Sequence, residues 1–149
     1  MSLFDDVLGD DEMFSEAKFG PQEGFAGVLL CATACDGHIA DEESRNLFLI
    51  LSQRKLYKRM SEQQFGSMFD RLMGHLKKGG PEKLLDKCYP VVPPELHESV
   101  FANAVDIVMA SGSVDSDEKD FINDLSNKLE LDEQRAKMII KVMSYKNRG

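Results

Sequence analysis

The chain has no tryptophan, five prolines and three cysteines in 149 residues. Cys31, Cys35 and Cys88 are an odd number with no Cys-x-x-Cys pair, which argues against a disulfide framework and against a zinc ribbon. Basic residues are in deficit: 18 Lys+Arg stand against 26 Asp+Glu, a formal net charge of −8. That balance opposes nonspecific attraction to phosphate backbones and anionic lipid, so nucleic acid is not expected as a partner. Long apolar runs are missing too. None approaches the ~18 to 20 residues of a membrane span, and the acidic start from Met1 to Glu12 lacks the basic and apolar regions of a signal peptide. The expectation is a cytoplasmic protein in a reducing compartment with no direct membrane span. Also absent are sustained strand alternation, a Gly-x-Ser-x-Gly elbow, a phosphate loop and a His-Glu-x-x-His pair, so no residue pattern supports an enzyme.

What is present is an ordinary globular composition, 42% hydrophobic and 30% charged. Its length suits one domain burying roughly two-thirds of its unfolded surface. Residues 1–21 form an acidic N-terminal segment, with Asp5, Asp6, Asp10, Asp11 and Glu12 between apolar residues in a pattern compatible with a short helix. Residues 22–146 read as a helical domain. From Pro21 the apolar positions Phe25, Val28, Leu29, Ala32 and Cys35 keep helical spacing until Gly37. A second helix is predicted from about Asp41 to Tyr57. A third opens on the capping box Ser61-x-x-Gln64, with Phe65, Met68, Phe69, Leu72, Met73 and Leu76 on one face until Gly79-Gly80. Pro81 opens a short fourth helix that Pro90 ends. Pro93-Pro94 starts another, which runs to about Ala110. Two more follow, one through Phe121, Ile122, Leu125 and Leu129 and the last from near Asp132. The predicted fold is all-α: a compact multihelical single domain of about seven helices with an internally duplicated helix-corner-helix unit.

The duplication rests on two corners. Cys35-Asp36-Gly37-His38-Ile39-Ala40-Asp41-Glu42-Glu43 is echoed by Ala110-Ser111-Gly112-Ser113-Val114-Asp115-Ser116-Asp117-Glu118, offset by 112 − 37 = 75 residues. Each resembles the back half of a calcium loop. With Gly37 at the sixth position, Asp36, Ile39 and Glu43 fit positions 5, 8 and 12, but positions 1 and 3 fall on Ala32 and Ala34. The second copy places Ile107 and Met109 there. One such half-loop offers about four oxygens against the six to eight calcium prefers. Helix capping explains the same residues: either glycine suits a left-handed helix end, Asp115-x-x-Glu118 is a capping pattern, and Asp41, Glu42 and Glu43 favour a first turn. A shared metal shell requires the two corners to meet in space.

The paired motif, each copy between an apolar and an amphipathic helix, resembles the tellurite-resistance TerB family over about residues 22–146. That resemblance implies a duplicated all-α fold, a role in tellurium-oxyanion resistance and general stress response, and no catalytic activity. It also implies protein partners, including membrane-associated ones, and a divalent-cation site. Carried across, the site falls on Asp36, Glu42 and Glu43 and on Asp115, Asp117 and Glu118. Ser111 departs from the pattern, standing where the family usually has Asp. The function expected is a non-enzymatic stress-response module that binds a divalent cation and acts as an interaction scaffold. The alternative is an enzyme acting on metal or metalloid oxyanions through Cys31 or Cys35, four apart on one helix face; buried apolar cysteines are the commoner outcome of such a pair. The basic segments 54–59 and Lys77-Lys78 are candidates for docking an acidic partner or membrane surface, or simply solvated helix ends.

Overall fold

A computed structural model describes residues 19–35, 38–110 and 112–149. The predicted N-terminal helix, Asp36, Gly37 and Ser111 lie outside the described residues. Those described form six α-helices and no strand: α1 (Pro21–Thr33), α2 (Asp41–Ser52), α3 (Glu62–Cys88), α4 (His97–Met109), α5 (Ser116–Lys128) and α6 (Glu133–Lys146). Short 3-10 turns lie at Lys55–Tyr57, Tyr89–Val91 and Pro94–Leu96.

The count of six corrects the expected seven, and the reason is local. Gly79-Gly80 does interrupt helical geometry, since Gly80 sits at φ 82°, ψ 172°, a region open only to glycine. Yet Pro81, whose fixed φ suits a first turn, restarts the helix at once. The predicted third and fourth helices are therefore one element with a kink. The second helix ends at Ser52, not Tyr57. Tyr57 is buried instead, and its hydroxyl donates to the Gln22 carbonyl at 2.8 Å while Gln22 Nε2 donates to the Leu56 carbonyl at 3.1 Å. Continuing the helix would carry the ring away from that partner.

α1 is the centre of the molecule. Every residue from Gly24 to Ala32 is buried, as an apolar run with no polar face requires. It packs chiefly on α3 and α4, and α4 in turn meets α6 and α5. Leu29, Leu30, Leu47, Leu72, Leu84 and Phe101 are among the largest fully buried side chains. Gly24 and Gly27 set how closely α3 approaches: a Cβ at Gly27 would lie 2.2 Å from Cys88 Sγ, and one at Gly24 would lie 2.8 Å from the Cys88 carbonyl oxygen. Phe48 packs edge-on against Phe65 and Phe69, which docks α2 onto α3. Among the described residues no charged side chain is buried, and no helix is long and apolar enough to cross a membrane.

Candidate functional site: two helix corners and the grooves beside them

The first corner follows α1, whose last turn closes with the Ala34 N–H on the Leu30 carbonyl at 3.0 Å. Ala40 has no side-chain acceptor to cap α2. Glu43 compensates from the third helical position, its Oε1 accepting the Ala40 N–H at 3.2 Å. The second corner turns at Gly112, in the left-handed region at φ 91°, where a side chain is disfavoured. Its cap is a complete box: Asp115 Oδ1 accepts the Glu118 N–H at 2.8 Å, and Glu118 Oε1 accepts the Asp115 N–H at 3.1 Å. The sequence-predicted capping role of Asp115 and Glu118 is thus observed. Glu42, Glu43, Asp115 and Asp117 are exposed and Glu118 is half-buried. Among the described residues no group of three or more His, Cys, Asp or Glu side chains is arranged to hold a metal ion.

Two separate grooves each take residues from both corners. Cys35, at the end of the first helix, and Asp117, in the first turn of α5, line one surface groove of about 420 Å³. Glu82 from α3 and Asp120 and Asp124 from α5 join them over an apolar floor that includes Leu85 and Phe121. Among the described residues no Lys or Arg lines this groove. Glu82, Asp117 and Asp120 make no ion pair among the described residues, whereas Asp124 lies 3.4 Å from Lys128 Nζ, which also holds Asp86 at 2.8 Å. Glu43 lines a second groove, with Thr33 on one wall and Asp106, Ile107 and Ala110 on the other. So Asp117 and Cys35 come together, and Glu43 and Asp117 do not share a groove.

Reading the sequence singled out Asp117 from this acidic groove but missed Glu82, Asp120 and Asp124. A signal for two of them existed: Asp117, Asp120 and Asp124 are spaced three and seven apart, one face of a helix.

The cysteines differ sharply. Cys31 is fully buried, and its thiol donates to the Pro81 carbonyl at 3.3 Å. Burial first, and then the neighbouring Cys88 and Cys35, push the Cys31 thiol well above its ordinary value. Burial likewise pushes Cys88 up to about 12. Both are protonated at neutral pH, and a protonated thiol is a poor nucleophile and metal ligand. Cys35 is half-buried at the groove rim.

Comparisons of the chain with protein-family models, with curated proteins and with solved structures returned no match.

Proposed function

We propose that this protein is a non-enzymatic, TerB-like stress-response module that works by binding, and that its working surface is the acidic groove between the two corners. The observation that carries this reading is the meeting of Cys35 from the first corner with Asp117 from the second in a groove lined by carboxylates and no cation. The ligand is a divalent cation. The charged groups of the groove are all carboxylates, whose oxygens suit hard ions such as magnesium or calcium. Because no three ligating side chains converge among the described residues, the ion is held largely through its own water. That mode is natural for magnesium, which dehydrates reluctantly. A basic segment of a partner protein would meet the same field, and this is the scaffold part of the proposal.

The internal duplication belongs to the same reading. Cys35 and Ala110 are equivalent under the 75-residue offset (35 + 75 = 110). Cys35 shares a groove with an acidic first-turn residue of α5, and Ala110 shares one with an acidic first-turn residue of α2. Such reciprocal placement supports two related helix-corner-helix units. The non-enzymatic assignment draws on the raised thiol pKa of Cys31, which weighs against the alternative of thiol chemistry at that residue.

Titration calorimetry with calcium, magnesium, manganese and zinc tests the reading. Wild type takes up a cation, Asp117→Asn/Asp120→Asn does not, and Glu43→Gln, which keeps an acceptor at the cap, behaves as wild type. Failure of the wild type to take up any of the four ions, or equal uptake by the Asp117→Asn/Asp120→Asn protein, refutes it.

A further inference from the structure

On the other side of α3 the charge reverses. Arg71, His75, Lys78, Lys83 and Lys87 line one groove of about 710 Å³, and among the described residues no carboxylate lines it. This volume lies within the range of small-molecule sites, ~300 to 1,000 Å³. The arrangement follows from the helix. Arg71, His75 and Lys78 sit at zero, four and seven on one face before the kink, and Lys83 and Lys87 are four apart after it. The bend at Gly80 turns the two rows into two walls. Gly74, which also lines the groove, has nothing within 4 Å of where a Cβ would stand, so the space stays open.

His75 is the neutral member. Burial first, and then Lys87, Arg71 and Lys78, hold its pKa below the ordinary value. The ring packs edge-on against Phe19 at 5.1 Å, and the Arg71 guanidinium lies over the same phenyl ring at 4.6 Å. Lys87 Nζ is 3.5 Å from His75 Nδ1. An ammonium can only donate, so Nδ1 accepts and Nε2 carries the proton. The groove therefore offers three lysine ammonium groups and one neutral N–H donor, with Arg71 at its edge against Phe19.

We propose that this basic groove is a binding site for a soluble polyphosphate, a ligand carrying two or more linked phosphates. Lysines act as point charges that take phosphate oxygens from several directions, and the His75 N–H adds a directional donor. Three residues from Arg71 to Lys78 span about 10 Å along the helix, a distance that linked phosphates cover and a single phosphate does not. A membrane is the poorer match. A chain of net charge −8 is repelled by an anionic surface as a whole, whereas a small anion entering a groove responds to the local field.

The test uses the full chain, inorganic triphosphate as the probe, and the His75 ring resonances with calorimetry as readouts. Triphosphate shifts the His75 signals and raises the pH midpoint of their titration, because a bound anion favours the imidazolium. Lys78→Ala/Lys83→Ala weakens binding at least tenfold. Lys77→Ala, an exposed lysine outside the groove, changes it less than twofold, and orthophosphate binds at least tenfold more weakly than triphosphate. Both lysines in the double variant are exposed, so its helical circular dichroism stays that of wild type. The proposal fails if triphosphate leaves His75 unmoved, if Lys77→Ala weakens binding as much as the double variant, or if orthophosphate competes equally. It also fails if vesicles bearing phosphoinositide headgroups bind while soluble triphosphate does not.

Discussion

Gly27→Ala provides the sharpest test of the packing that places both grooves. In an exposed helix, exchanging glycine for alanine stabilises by about 1 kcal/mol. Here the new Cβ would lie 2.2 Å from Cys88 Sγ and 3.4 Å from Leu72 Cδ2, against an ordinary contact distance of ~3.5 to 4.0 Å. Cys88 is fully buried, so the sulfur cannot swing into solvent and α1 must move away from α3. Overpacking of this kind costs about 1 to 3 kcal/mol, which outweighs the propensity gain. A contact this short takes the upper end of that range, so the expected net loss is about 2 kcal/mol, or a Tm lower by roughly 4 to 8 °C for a chain of this size. Urea unfolding followed by circular dichroism reads it as a lower midpoint at unchanged slope. The cause is isolated by Gly27→Ala/Cys88→Ala. Without Sγ the nearest atom of residue 88 is its Cβ at 3.2 Å, which a shift of a few tenths of an ångström relieves. The double variant should then be more stable than the sum of the two single losses by about 1 to 3 kcal/mol. At Gly24 the obstacles are Val91 Cγ2 at 2.6 Å and the Cys88 carbonyl oxygen at 2.8 Å, neither of which belongs to the Cys88 side chain, so Cys88→Ala should not rescue Gly24→Ala. If Gly27→Ala is as stable as wild type, or if the Gly27 and Cys88 losses simply add, the close approach of α1 and α3 is not what demands glycine.

Asp115→Ala removes the side chain that caps α5 and should cost about 1 kcal/mol in urea unfolding, while Asp115→Asn, an equally good cap, should stay within a few tenths; equal losses would mean that charge and not the cap matters there. In the folded protein a disulfide thiol reagent should modify Cys35 alone, and Cys31 and Cys88 should react only on unfolding, given their burial and raised thiol pKa values. A second fast equivalent, persisting in Cys35→Ser, would reopen thiol chemistry at Cys31.

The helices were legible wherever a local rule was sufficient. Ser61 with Gln64 and Asp115 with Glu118 cap as their spacing predicts, the last helix starts just after Asp132 as expected, and Phe65, Met68, Phe69, Leu72 and Leu76 bury the face their periodicity names. The misses came where a distant partner decides. The expected helix through Tyr57 yields to a hydroxyl bond with Gln22, 35 positions away. The depth of α1 had a signal in the uncharged run from Gly24 to Ala32, but the role of its glycines depends on Cys88 arriving from α3. The grooves were less legible still. Glu82 and Lys83 are neighbours in sequence, yet one lines the acidic groove and the other the basic groove, because one helical step turns about 100°. A net charge of −8 averages these faces away.

That division also bears on which carboxylates are available to a cation. Glu43 and Glu118 each have one oxygen accepting the backbone N–H of an N-cap residue, and Asp115 accepts a third N–H. A metal that required both oxygens of either glutamate, as the last position of a calcium loop does, would have to break a cap worth about 0.5 to 2 kcal/mol. A loss of 1.4 kcal/mol weakens an equilibrium tenfold, so two broken caps, about 1 to 4 kcal/mol together, would weaken an already ligand-poor site by roughly fivefold to nearly a thousandfold. Glu82, Asp117 and Asp120 carry no such commitment. Of the six residues carried over from the sequence motif, Glu43, Asp115 and Glu118 hold the corners and Asp117 faces the groove, while Glu42 is exposed and lines neither groove and Asp36 lies outside the described residues. Cap variants should change the unfolding midpoint and leave cation uptake alone, and groove variants should do the reverse.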